Sequence, residues 1–160
     1  MPIIKIPLSQ YIRWKIKKFW NLSAIAKKFD LSVVKQEILH NQLIGLDTVK
    51  RKLLLVRKQK DKLDCRIVDL QQVNHCSIKK VYSSISAGEF KTNSLNNYLQ
   101  SISLQLGFKT NAEPVIVNFY ESSSDKKKQQ SFLEATARKW EQFVSDLLDN
   151  VSLNRPAPSF

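Results

Sequence analysis

The spacing of apolar residues changes period along the chain. Over the first ~29 residues it is helical. At about 100° per residue, Leu8, Ile12, Ile16, Phe19, Trp20 and Ala26 fall on one side, and Gln10, Arg13, Lys17, Asn21 and Lys28 on the other. Lys15 intrudes on the apolar side, and Trp14 and Ile25 sit among the polar positions. Pro7 suits a helix start and Asp30 a stop. From Leu31 the pattern turns strand-like. Val33–Leu46 is one apolar, β-branched stretch, long enough to break into two strands, with Gly45 suggesting a bend or bulge. After a turn at Asp47-Thr48, the run "RKLLLV" reads as a buried strand with basic flanks. "QKDKLD" is a polar turn. "CRIVDL" and "VNHCSIKKVY" flank Gln71-Gln72, and a hairpin centred there would set Cys65 opposite Cys76 and Leu63 opposite Ile78.

Residues 83–97 are small and polar and read as a long loop. Tyr98–Phe108 alternates cleanly: Ile102, Leu104, Leu106 and Phe108 face one way, Ser101, Ser103 and Gln105 the other. "VIVNFY" is a further strand. The pattern then returns to helical spacing. Ser122, Ser123, Ser124 and Asp125 offer N-caps. Phe132, Leu133, Thr136, Ala137, Trp140, Phe143, Val144, Leu147 and Leu148 share one broad face, which a folded domain must cover. "NVSLNRPAPSF" reads as a frayed tail.

The expectation is an α+β fold. A curved antiparallel sheet, or partly open barrel, of about six to seven strands is capped by the long C-terminal amphipathic helix and preceded by a basic N-terminal helix. The organisation expected is 1–30 basic amphipathic helix, 31–150 sheet plus capping helix, and 151–160 disordered tail.

Composition changes this picture in one respect. The chain has 160 residues and a net charge of +12. Residues 1–60 hold 14 Lys/Arg against 3 acids, and residues 61–160 hold 12 against 11. The excess is a basic arm on a neutral domain, which favours an anionic partner surface. No apolar run reaches the ~20 residues of a membrane span, and "MPIIKIP" lacks a signal-peptide layout. Cytoplasmic location with reduced thiols is therefore expected.

The strand order, the "VKRKLLLVRK" and "CRIVDLQQV" segments and the final helix carrying Trp140 resemble the pleckstrin-homology-like superfold in its short bacterial form, over about Lys35 to Asp149. The resemblance implies seven strands and a helix tryptophan packed into the barrel mouth. Some such domains bind phosphoinositides through a basic first hairpin. Here the corresponding candidates are Lys50, Arg51 and Lys52 with Arg57, Lys58, Lys60 and Lys62.

Enzymatic chemistry finds little support. Gly45, Gly88 and Gly107 are too far apart for a phosphate-cradling loop. His40, His75, Cys65 and Cys76 lack metal-ligand spacing, and Asp61, Asp64 and Asp69 read as solvated turn acids. No catalytic residue, metal or cofactor is expected. The remaining constellation is basic and aromatic: Arg13, Trp14, Lys15, Lys17, Lys18 and Trp20, with Lys27 and Lys28. Against an anionic leaflet the rings would sit at the interface and the cations on headgroups. The alternative is a helix packed on its own domain with its lysines in water. "DKKKQQ" at 125–130 reads as a solvated cap region.

The functional expectation is a non-enzymatic binding module, peripheral to an anionic membrane or docking on a protein. The sites are Arg13, Trp14, Lys15, Lys17, Lys18, Trp20, Lys50, Arg51, Lys52, Arg57 and Lys58. The alternative is sequence-tolerant nucleic-acid binding through the basic third. It is less favoured, because no aromatic RNA-binding platform or helix-turn-helix pattern appears.

Overall fold

The computed structural model describes residues 3–6, 22–40, 42–60, 62–86, 88 and 94–153. These form two compact units, one ending at Gln71 and one beginning at Gln72. The elements are α+β throughout: antiparallel sheets and helices, with no parallel pair among the described strands.

The first unit holds five strands: β1 (Ile3–Ile6), β2 (Lys35–Ile38), β3 (Gln42–Asp47), β4 (Lys52–Gln59) and β5 (Lys62–Asp69). It also holds one short helix, α1 (Leu22–Lys28). The sheet order is β1-β5-β4-β3-β2. Strands β2 to β5 are a meander of consecutive hairpins. The Val33–Leu46 stretch breaks into two strands after Ile38, and Leu39 N–H donates to Gln42 O at 2.8 Å. "LLLV" in β4 is fully buried, as a central strand covered on both faces requires.

Where a helix is expected at the very start, Ile3–Ile6 is instead a strand pairing antiparallel with β5, Ile4 opposite Cys65. Isoleucine-rich tetrapeptides suit a pleated edge, and β5 supplies an otherwise unpaired ladder. The basic stretch Ser9–Trp20 lies outside the described residues. Its continuation, α1, packs on the sheet. Leu22, Ala26 and Leu31 form one cluster with Leu43, Leu54, Val56, Leu63 and Cys65, and Ile25, Phe29, Val33 and Ile67 join its margin. Gly45 lets the helix approach: a Cβ there would lie 2.7 Å from Leu22 Cδ2. The other face of the sheet, Ile44, Leu46, Leu53, Leu55 and Val68, is equally buried.

A 3-10 turn at Leu70–Gln72 ends the first sheet's run. It corrects the expected hairpin. β5 pairs with β4 and β1, so Cys65 faces Val56 and Ile4, and Leu63 faces Lys58 and Ile6. Cys76 faces Leu106 and Ile78 faces Leu104, both in the second sheet. The turn is pinned by Leu70, which is buried and donates its N–H to Arg51 O at 2.9 Å.

The second unit is the sheet β6 (Val73–Tyr82), β7 (Leu99–Phe108) and β8 (Val115–Glu121), in that order, with helix α2 (Gln130–Leu153). With β2–β5 this makes the seven strands before a helix that the resemblance implies. Ile102, Leu104 and Leu106 are buried on the alternation expected. Lys80 and Cys76, on the same face by register, meet Glu134 and Glu141 of α2. Thr136, Ala137, Trp140 and Val144 of α2 are buried. The Trp140 and Phe143 rings meet edge to face at 6.2 Å.

Phe132 departs from expectation and is 68% exposed. It sits at the extreme edge of the apolar arc, in the helix's first turn. The expected caps Ser124 and Asp125 form a turn on Glu121 O instead. The helical run starts in a 3-10 turn at Lys127–Gln129, and α2 continues to Leu153.

Candidate anionic-surface site

The described candidate residues fall at two places in the first unit. Arg13, Trp14, Lys15, Lys17, Lys18 and Trp20 lie outside the described residues. Lys50 and Arg51 occupy the β3–β4 turn and Lys52 opens β4, while Arg57 and Lys58 lie toward the far end of β4, before Lys60 and Lys62. From Lys52 to Lys58 is six strand steps, about 20 Å at roughly 3.3 Å each. The two groups therefore stand at opposite ends of the sheet and make no single cluster.

The β3–β4 turn is organised by Asp47, a residue the charge pattern alone passes over. It is 1% exposed, and its carboxylate accepts N–H from Ser32 at 2.8 Å, Val49 at 3.0 Å and Lys50 at 2.8 Å. Burial acts to raise its pKa. The backbone donors Lys50, Ser32 and Val49, with the Lys50 charge, outweigh burial and hold it below the usual carboxylate value. The turn is thus preorganised, with Val49 projecting at 86% exposure. One of its cations is paired with an acid. Lys50 Nζ bonds both the carboxylate and the carbonyl of Asp30. Lys52 lies in register between Asp47 and Asp69. Arg51 holds the left-handed conformation, φ 53°.

At the other end, Arg57 Nε donates to Gln42 Oε1 at 3.2 Å and lies in register with Asp64. Lys58, Lys60 and Lys62 are exposed around the β4–β5 hairpin, Lys60 at φ 50°. The exposed His40 follows β2 at the same end. β1 ends there too, Ile6 opposite Leu63. On α1, Lys27 and Lys28 are exposed while Leu22 and Ala26 are buried.

Other chemistry is sparse among the described residues. No group of three His, Cys, Asp or Glu side chains is placed to hold a metal. Burial, then the neighbouring Asp64 charge, pushes the Cys65 thiol up; burial and Glu141 push Cys76 up to about 12. Both are poor nucleophiles. No described helix is long and apolar enough to cross a membrane.

No family model matches the chain, and no curated protein matches it. Among solved structures it is similar to a pleckstrin homology domain from Shewanella amazonensis, at TM-score 0.41 and 13% identity, over 73% of this chain and 98% of that one.

Proposed function

We propose that the chain is a non-enzymatic module that docks on an anionic membrane surface through its first unit. The observation that carries the reading is the way α1 is split. Its apolar side is buried on the sheet and Lys27 and Lys28 face water. Residues 1–29 hold seven Lys/Arg and no acid, so nothing within that segment neutralises its charge. Lys58, Lys60 and Lys62 add a second exposed cationic group at the β4–β5 hairpin, and Arg13, Lys15, Lys17 and Lys18 add charge in sequence before α1. Lys50 contributes less in this reading, because Asp30 already pairs with it. Each cation brought to an anionic leaflet adds about 1 kcal/mol, so three to six suffice for attachment that salt reverses.

Competition separates this reading from its rival. Protein bound to phosphatidylserine-containing vesicles is challenged with single-stranded DNA. Retention on the vesicles supports the membrane reading. Release at stoichiometric DNA, with no vesicle preference for anionic over neutral lipid, favours nucleic acid.

A further inference from the structure

The β3–β4 turn presents an apolar side chain that its own fold does not use. Thr48–Arg51 joins the two strands beyond the closing pair Asp47–Lys52. Val49, one of its two central residues, is 86% exposed, more than any other large apolar side chain among the described residues. One exposed valine on a flat surface would be ordinary. At a turn tip it is less so, because glycine, asparagine, aspartate and serine serve turns better and β-branched residues prefer strands. The turn takes its shape from the Asp47 carboxylate and the left-handed Arg51, and would keep it with a polar residue at 49.

Two features suit this tip to a lipid interface. Backbone N–H groups without partners resist transfer out of water. Here the N–H groups of Val49 and Lys50 already donate to Asp47 Oδ1, at 3.0 and 2.8 Å, so the valine can leave water without stranding them. The tip is also held in shape before it meets anything, so little ordering cost opposes contact. Cations stand alongside. Lys50 bonds Asp30, and Asp30 N–H donates to Lys27 O at 3.1 Å, which brings the exposed Lys27 and Lys28 end of α1 to the turn. Arg51 follows Lys50 within the turn. A hairpin tip is convex: a protein partner would need a cavity shaped to it, whereas a layer of headgroups admits it anywhere.

We propose that Val49 is the apolar anchor of the first unit, entering the headgroup region of an anionic leaflet with Lys27, Lys28 and Arg51 on the lipid phosphates. The anchor rests on the membrane reading above and adds to it a contact that salt does not screen.

Sedimentation of the full chain with phosphatidylserine-containing vesicles at low salt, in wild type, V49S and V49W, tests it. V49S lowers the partition coefficient about three- to tenfold, and V49W raises it by a similar factor. The side chain is exposed, so thermal melts of the three proteins coincide. In V49W the tryptophan emission added over wild type is quenched by lipids brominated on their acyl chains. If all three proteins pellet to the same extent, the anchor is overturned and the membrane reading stands. Added emission that brominated lipid leaves unquenched overturns the anchor as well. A wild type that does not pellet overturns both.

Discussion

At the residue scale, the carboxylate of Asp47 does most to fix the shape of the first unit's β3–β4 turn. It satisfies three backbone donors from two segments, so Asp47→Ala strands buried N–H groups. Urea unfolding should show a loss of about 2–4 kcal/mol. Its pKa is lower folded than unfolded. Its contribution is therefore complete above the usual carboxylate range and is lost as pH falls below about 3.8. Asp47→Asn should flatten that part of the stability–pH curve; a mutant curve parallel to the wild type would contradict the assignment. In the sequence, Asp47 is legible as a turn residue, since Asp-Thr after an apolar run is turn chemistry. Its burial and its bond to Ser32 are not legible, because they depend on a segment 15 residues away.

At the element scale, what was legible follows from how local each signal is. α2 and β7 declare themselves through unbroken periodicity over many residues, and "LLLV" through its flanks. The β5–β6 relation does not. Two alternating strands around Gln71-Gln72 look like a hairpin, yet partner choice depends on β4 and β7, which local spacing does not encode. Ile3–Ile6 is similar: four residues fit helix or strand alike, and β5 decides. Two substitutions test the packing. Gly45→Ala drives a methyl within 2.7 Å of Leu22 and 3.0 Å of Val33. It should cost about 1–3 kcal/mol by denaturant unfolding. Its φ is not positive, so any loss reports crowding against Leu22 and Val33 rather than backbone strain. Trp140→Ala removes the largest buried ring of α2 and should cost about 3–5 kcal/mol. An unchanged melting temperature in either variant would contradict the packing described.

At the scale of the whole molecule, net charge does not say where the cations stand. The +12 total already subtracts Asp30, Asp47, Asp64 and Asp69, and the structure places Asp30 on Lys50 and sets Asp47, Asp69 and Asp64 in register with Lys52 and Arg57. The sequence shows the excess and its bias to the first third. It does not show which cations acids answer, because those partners come from neighbouring strands and loops. What survives is the outward side of α1 and the Lys58–Lys62 hairpin. The most direct measurement of the central claim is sedimentation with vesicles. The protein should pellet with phosphatidylserine-containing vesicles at low salt, stay in solution with neutral ones and be released as salt rises. K27E/K28E/K58E/K60E should weaken pelleting by at least about tenfold, given roughly 1 kcal/mol per cation. Failure of the wild-type protein to pellet with anionic vesicles at low salt would contradict the account.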